Sequence, residues 1–433
     1  MADNENQRIM NKNENNMDSS NTSSRIPKLR FPGFTGEWEE LPLSHFLFEH
    51  KTKSDGKCEV HSVSVTKGVV NQAAYLGRSY AAADTSKYNL AKPNDIIYTK
   101  SPTGAFPYGI VKQNKNPYNV IVSPLYAVYT PINKYIGYIL DSYFESPVNT
   151  NNYLSSLVQK GAKNTIQITN DTFISKSVCF PTDPAEQQKI ASCLSELDNL
   201  ITAQGQKVDA LKEKKKGLMQ QLFPRQGETV PRLRFPGFTG NWEEKRLGEV
   251  FEKINNGMAY NTYLTEGFPM SRIETISSGE IDFDHVGYSD VEPDEKYKLI
   301  EGDILFSHIN SETRIGRIAL YRGGRTLYHG MNLLLLRASN LYDKYFVYYL
   351  MDRFETRTNI QKYAKKAINQ ASVSTSDIKQ ISVMIPHSID EQQKIAECLS
   401  ALDETITAEA DKLEALKNHK KGLMQQLFPQ PAK

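Results

Sequence analysis

Two short loops carry the side chains whose types and spacing point most clearly to a chemistry. Each loop follows an apolar run that begins with an aspartate, Asp95 in DIIYTK and Asp303 in DILFSH. Side chains such as Arg, Asn, Glu and Ser form the patterned hydrogen bonds that distinguish base edges in the major groove of DNA. The loops therefore predict contacts to bases. The candidates are Lys100, Ser101, Thr103 and Tyr108 in the first loop, and His308, Asn310, Glu312, Thr313, Arg314 and Arg317 in the second.

Polar side chains elsewhere in the sequence extend this set. Thr66 and Lys67 in SVTKG, Arg272 in MSRIET, and Asn332 are further candidates for contacts to bases. Lysines also precede two asparagines at matching places of the sequence, Asn164 and Asn369. Their ammonium groups are suited to bind phosphates of the DNA backbone, and such contacts do not distinguish one base sequence from another. Each of these residues taken alone could equally be a solvated loop residue, so the prediction rests on the set. The phosphate candidates are Lys160, Lys365 and Lys366, with Asn164 in the loop that follows the first of them.

An enzyme acting on its own has less support. Asp303 and Glu312 could be offered as paired carboxylates, but no nucleophile or metal cluster accompanies them. The sequence has no GxxxxGK phosphate loop and no Gly-rich loop for a methyl donor. Its four cysteines form no CxxC pair, and its eight histidines have no zinc-ligand spacing. We expect no catalytic residue, metal or cofactor in this chain.

The composition is that of an ordinary cytoplasmic protein of more than one domain. The 433 residues exceed the usual size of a single core. Lys and Arg total 52 against 50 Asp and Glu, so the overall charge does not decide for or against nucleic acid. Residues 1–24 are polar and predict a disordered tail. No apolar run is long enough for a membrane helix, and we expect no membrane association.

An internal repeat is the most informative feature of the elements that must position these loops. PKLRFPGFTGEWEE at 27–40 returns as PRLRFPGFTGNWEE at 231–244. A segment that begins EQQKIA and ends KKGLMQQLFP occupies 186–224 and returns at 391–429. Between these segments, residues 41–182 and 245–387 are nearly equal in length and share few residues. We call the repeated segments the frame and the segments between them the inserts. The frame is therefore present twice, and its two copies enclose two different inserts.

The repeated EQQKIA segments predict two long helices. Apolar residues recur in steps of four and three, which is the seam of a coiled coil. Asp183 or Thr182 can cap the start of the first helix, and Ser388 or Asp390 that of the second. Polar residues interrupt the seam at matching places, Gln204 with Glu409 and Lys215 with Lys420, where they could either fix the register or mark fraying. The seam consists of Ile190, Leu194, Leu197, Ile201, Val208, Leu211, Leu218 and Leu222, and of Ile395, Leu399, Leu402, Ile406, Leu413, Leu416, Leu423 and Leu427.

The inserts predict mixed α/β globular domains with many short strands. The expected architecture is α+β: two such domains separated by two long antiparallel coiled-coil helices, with a pseudo-two-fold internal repeat. The predicted order is a tail at 1–24, a first domain at 25–182, a helix at 183–224, a second domain at 225–388 and a second helix at 389–433.

These motifs together resemble the specificity subunit of type I restriction–modification systems. The resemblance is carried by the two helices with EQQKIA and KKGLMQQLF, by the RFPGFTG motif with its tryptophan, and by the GDILFS strand. It covers the chain from about residue 25 to the end. The polar tail and the individual loop residues lie outside it.

The resemblance implies a mechanism. Two target-recognition domains would each read one half of a bipartite, asymmetric site in double-stranded DNA. The helices would set the spacing and dock two methyltransferase subunits, and motor-nuclease subunits would join through that core. S-adenosylmethionine, ATP and Mg would bind to those partners. The alternative is a coiled-coil scaffold that binds two protein partners and reads no DNA.

Overall fold

The computed structural model describes residues 25–160, 166–311, 314–367 and 370–429. The predicted tail at 1–24 lies outside these residues, as do Asn164, Glu312 and Thr313. The chain forms two compact units, 1–204 with 412–433, and 205–411. Both mix helices and short strands, which confirms the predicted α+β class. Among the described helices, none combines the length and the apolar character that crossing a bilayer requires.

Unit 1 contains twelve described strands and four short helices. The strands are β1 Glu39–Pro42, β2 Leu47–Glu49, β3 His61–Ser64, β4 Gly68–Asn71, β5 Asn89–Ala91, β6 Ile96–Tyr98, β7 Val111–Gln113, β8 Val120–Val122, β9 Ala127–Pro131, β10 Gln159–Lys160, β11 Ile166–Gln167 and β12 Ser177–Phe180. The short helices are α1 Gln72–Leu76, α2 Lys134–Glu145, α3 Pro147–Ser155 and α4 Asn170–Ser175. The long helix α5, Pro184–Leu222, begins in unit 1 and ends in unit 2.

Unit 2 repeats much of this plan. Its strands are β13 Glu243–Arg246, β14 Phe251–Asn256, β15 Phe268–Met270, β16 Gly287–Ser289, β17 Ile304–Phe306, β18 Ile309–Asn310, β19 Ile318–Leu320, β20 Leu334–Ala338, β21 Lys365–Ala367, β22 Gln370–Ser372 and β23 Ser382–Ile385. Its helices are α6 Leu247–Val250, α7 Lys344–Asp352, α8 Phe354–Lys362 and α9 Thr375–Gln380. The second long helix, α10, spans Ile389–Leu427 and passes into unit 1 after Asp411.

Each unit is built around a four-stranded antiparallel sheet of the same order. It runs β2-β9-β6-β7 in unit 1 and β14-β20-β17-β19 in unit 2. The central strands β6 and β17 are buried along their whole length, which explains their continuous apolar sequence. A separate two-stranded pair, β1-β12 or β13-β23, joins the start of each insert to the residues just before a long helix. The repeated frame thus supports equivalent hairpins in both units.

The repeated RFPGFTG motif is attached to a long helix by a buried ion pair. In unit 1, Arg30 donates from Nε and Nη2 to the Glu186 carboxylate, at 2.7 and 2.8 Å. Trp38 donates from its indole nitrogen to the same carboxylate at 3.2 Å. In unit 2, Arg234 meets Glu391 at 2.8 Å through both nitrogens. The shared motifs therefore contact each other in each copy, with Glu186 and Glu391 each only 2% exposed.

The apolar seam residues of both helices are all buried or half-buried. In unit 1, Leu427 and Phe428 join the core that contains Ile190 and Leu194. In unit 2, Leu222 and Phe223 join the core that contains Ile395 and Leu399. The end of one helix therefore packs beside the start of the other in each unit, which is the expected antiparallel arrangement. Asp183 caps α5, accepting from the Ala185 backbone N–H at 2.8 Å.

Three of the polar interruptions of the seam, Lys215, Glu409 and Lys420, form ion pairs with residues of the other long helix. Lys420 Nζ lies 2.7 Å from Asp198 Oδ1 in unit 1, and Lys215 Nζ lies 2.7 Å from Asp403 Oδ1 in unit 2. Lys207 Nζ lies 2.9 Å from Glu409 Oε1 in unit 2. Both helices continue without a break through these positions. Of the two interpretations offered by the sequence, fixing the register fits these contacts, and fraying does not.

Candidate nucleic-acid interface

The first predicted reading loop connects β6 to β7. Lys100, Ser101 and Thr103 are exposed on it. Tyr108 is half-buried and packs against the core of unit 1, so its ring is held by the protein. Gly109 closes the hairpin at φ +107°, where an added Cβ would lie 1.9 Å from the Thr99 carbonyl oxygen. The exposed part of the loop is thus its first half.

The second predicted reading loop connects β17 to β19 and contains β18. His308 is only 8% exposed, and Asn310 is half-buried with its amide donating to Ser307 Oγ at 3.0 Å. Arg314 is exposed. Arg317 is half-buried and lines a cleft of 1030 Å³ beside α10 within unit 2. Arg314 is therefore the described cation of this loop that is most accessible to DNA.

In unit 2 the structure joins the reading loop to the predicted phosphate contacts. The strands β18, β22 and β21 form one sheet, with Ile309 and Lys365 on either side of Ser372. Lys365 is exposed, and Lys366 follows it in β21. In unit 1, Lys160 lies in β10, which pairs with β11. In unit 2 the predicted reading loop and the predicted phosphate-contacting lysines thus belong to one small sheet.

The remaining candidates are spread over other turns. Thr66 and Lys67 are exposed at the turn between β3 and β4. Arg272 donates from Nε to the His285 carbonyl at 3.2 Å and lies 3.4 Å from Glu274, so it holds a turn. Asn332 is exposed at φ 70°, a left-handed conformation that Asn tolerates. Of these four, Arg272 has the clearest structural role.

The aspartates that precede the central strands are structural. Asp303 is completely buried, and Arg337 donates to both of its oxygens at 2.7 Å. The Ile300 backbone N–H donates to it at 2.8 Å. Asp95 takes the same place in unit 1 and meets His50 at 2.9 Å and Thr130 at 2.9 Å. With its oxygens engaged in this way, Asp303 is poorly suited to the paired-carboxylate chemistry that the sequence left open.

Two lysines near the first loop were missed by the sequence argument. Lys51 and Lys53 line a cleft of 520 Å³ together with Lys100 and Ser101. They come from the segment after β2, and not from the hairpin that carries Lys100. The signal in the sequence was the run HKTKSDGK at 50–57, which holds three lysines but no feature that links it to the hairpin.

The comparison with known families decides what kind of protein carries these paired loops. The model of the type I restriction modification DNA specificity domain matches residues 47–213 and again 239–418, more than half of the chain. The chain belongs to this family. The two matches correspond to the two copies of the repeat, each with its insert and long helix. The predicted resemblance is thereby confirmed.

Curated relatives carry the family's name. A putative type I restriction enzyme MjaX specificity subunit from Methanocaldococcus jannaschii is 43% identical over 195 residues, covering 43% of this chain and 45% of that protein. The type I restriction enzyme MjaVIII specificity subunit from the same organism is 25% identical over 278 residues, covering 60% and 63%. The chain thus spans from about half to just under two thirds of these relatives.

Solved structures share the fold of this specificity-family chain. The type I restriction–modification S subunit from M. genitalium superposes with a TM-score of 0.60 at 16% identity, covering 94% of this chain and all of that one. A chain from a type I R-M system solved for its complex assembly has a TM-score of 0.50 at 16% identity, covering 92% and 98%. At this identity the likeness shows the fold alone.

Proposed function

We propose that this chain is the DNA sequence-specificity subunit of a type I restriction–modification complex, in which each variable domain reads one half of a bipartite, asymmetric DNA site. The observation that carries the proposal is the pairing of a repeated frame with two different loops. The same Arg–Glu–Trp contact and the same sheet order support Lys100, Ser101 and Thr103 in one unit and Asn310 and Arg314 in the other. Different donors and acceptors on equivalent hairpins recognise different bases.

The long helices have two roles in this proposal. Their paired polar contacts fix one register, and a fixed register sets a fixed spacing between the two half-sites. Their near-identical sequences present two equivalent surfaces, which suits two copies of the same methyltransferase subunit. Motor-nuclease subunits join through that core. The chain itself is non-catalytic, and S-adenosylmethionine, ATP and Mg are used by its partners.

The competing function is a scaffold that binds two protein partners without reading DNA. A scaffold predicts no DNA affinity that depends on salt, because it neutralises no phosphates. It also gives no reason for the divergence of the hairpins on a frame that has stayed the same. The exposed cations Lys100, Arg314 and Lys365 on or beside the two hairpins favour DNA readout.

The test exchanges one insert. Residues 245–387 are replaced by the second insert of another family member, and the methylated site is mapped genome-wide before and after the exchange. We expect one half of the site to change while the other half and the gap stay the same, because the first insert and both helices are untouched. A change in both halves, or methylation of a single uninterrupted motif, would contradict the proposal.

A further inference from the structure

The cleft beside the first reading hairpin concentrates positive charge. Its walls carry Lys51, Lys53 and Lys100 against a single carboxylate, Glu49. Three lysines and one glutamate give these walls a formal charge of +2, which equals the formal charge of the whole chain of 433 residues. A concave surface with one sign of charge focuses the field and raises the local concentration of oppositely charged ligands. The cleft is therefore suited to an anion.

Lys53 and Lys100 have different surroundings in the cleft. Lys53 Nζ lies 2.6 Å from Asn89 Oδ1 and 3.2 Å from the Lys87 carbonyl oxygen. An ammonium has three donors, so one remains for a ligand. Partial burial lowers the pKa of Lys100, with the charge of Glu49 opposing that shift. A bound anion would stabilise the Lys100 ammonium, which has lost part of its hydration.

The one carboxylate of the cleft does not neutralise the lysines by direct pairing. Glu49 Oε1 accepts from the Asn170 amide at 2.6 Å. Within the part of the chain that the structure describes, Lys51, Lys53 and Lys100 form no ion pair with a carboxylate. Ser101 adds a hydroxyl at the rim. Ammonium groups and hydroxyls are donors that phosphate oxygens accept from.

Unit 2 lacks this cluster at the equivalent positions. His308 follows β17 as Lys100 follows β6, and burial lowers the pKa of His308, so it is neutral at pH 7. By strand register, Ile254 of β14 corresponds to Glu49 of β2, which places Asn256 and Met258 where unit 1 has Lys51 and Lys53. Among the described residues, the lysines of this cleft therefore have no cationic counterparts at the equivalent positions of unit 2.

We propose that the cleft lined by Lys51, Lys53 and Lys100 binds a phosphate of the DNA backbone beside the first half-site. This inference rests on the proposed function. The cleft shares a wall with the exposed part of the reading hairpin, since Lys100 and Ser101 belong to both. A phosphate held there fixes where the strand enters, and so which base meets Thr103. The shared ligand chemistry is a phosphoryl group, which a free nucleotide would also supply.

The experiment measures the affinity of the full chain, in its complex, for a duplex with the mapped site as a function of salt. We expect Lys51→Ala to lower the slope of log K against log salt by about 0.9, with base preference retained in both half-sites. Lys100→Ala should lower the slope by the same amount, with base preference retained in the second half-site. Lys100→Arg should keep the slope. Lys296→Ala is the matched control, because Lys296 is an exposed lysine of unit 2 already paired with Asp294 at 2.7 Å.

The outcomes separate the inference from the function on which it rests. If the wild-type complex binds the duplex and the Lys51→Ala, Lys100→Ala double variant keeps the full slope, the phosphate cleft is wrong and the proposed function stands. If the wild type has no salt-dependent affinity for the duplex, both are wrong. If ADP or inorganic phosphate binds through Lys51 and Lys100 while duplex affinity is unaffected by the substitutions, the cleft serves a small ligand and the DNA assignment is overturned.

Discussion

Lys420 donates to Asp198 across the two long helices, and Lys215 repeats the contact with Asp403 at the same distance of 2.7 Å. Burial lowers the pKa of Lys420, but Glu145 and Asp198 raise it by more, so its pKa lies above the ordinary value. The ammonium is charged although its side chain is only 10% exposed. The sequence repeat has therefore kept an ion pair between the two long helices in each unit.

Asp198→Asn should destabilise unit 1 by about 1–3 kcal/mol, because a buried ammonium loses a charged partner. Replacing both members, as Lys420→Met with Asp198→Leu, should cost less, since the buried ammonium is removed together with Asp198 and the carboxylate that loses its partner, Glu145, is 45% exposed. Denaturant unfolding of the single and double variants measures the difference. The exposed pair of Lys394 and Glu397 is the control, and its removal should change stability by less than about 1 kcal/mol. Equal losses in the single and double variants would contradict the assignment.

Glu186→Ala and Glu391→Ala should have similar effects, because the two residues make the same contacts in the two units. Each substitution leaves a largely buried guanidinium and an indole N–H without their acceptor, at a cost of about 3–5 kcal/mol. Tryptophan fluorescence is a suitable readout, since Trp38 and Trp242 are the only tryptophans and each donates to one of these carboxylates. Glu37→Ala removes an exposed pair with Arg25 and should be nearly neutral. A neutral Glu186→Ala would show that the ion pair is dispensable.

The stability of unit 2 should fall in acid through His329. Burial lowers the pKa of His329 to about 4, against about 6.5 in the unfolded chain. Between these values the unfolded state binds more protons, so stability is complete above pH 6.5 and decreases as the pH falls towards 4, by about 3 kcal/mol at most. His329→Gln should remove this part of the pH dependence in unfolding experiments at pH 7 and 4.5. The exposed His285, changed to Gln, should leave it in place.

Arg314→Ala and Lys365→Ala should separate base reading from phosphate binding in the second half-site. Loss of an arginine that reads a base should relax preference at one position by about 1–3 kcal/mol. Loss of a phosphate contact should weaken binding to all sequences and lower the salt slope by about 1. Selection of bound sequences from a randomised half-site, with affinities at several salt concentrations, measures both. The same response from the two variants would contradict their assignment.

The sequence predicted the frame well because its signals are periodic and repeated. The seam of α5 and α10 and the hairpins around Gly109 and Gly316 follow from residue spacing alone. The contact of Arg30 with Glu186 was not predicted, although both motifs were recognised. The two residues are 156 positions apart in the sequence, and nothing in either motif indicates which residue it contacts.

The candidate site was predicted less completely, because residue type does not give exposure. His308 was chosen as a polar loop residue, yet the backbone around β18 buries it. Tyr108 was chosen in the same way, and its ring packs on the core. Lys51 and Lys53 were overlooked because only the folded sheet brings the segment after β2 beside the hairpin that carries Lys100.

The path of α10 has a consequence for biosynthesis. The core around Trp38 is completed by Leu427 and Phe428, whereas residues 205–411 form a unit from one continuous stretch. On the ribosome, unit 1 is translated first but lacks Leu427 and Phe428 until unit 2 has been translated. At ordinary elongation rates this takes roughly 10–40 s. During that interval the apolar surface that Leu427 and Phe428 cover in unit 1 is exposed, and unit 2 has all its residues before unit 1 does, although its translation begins later.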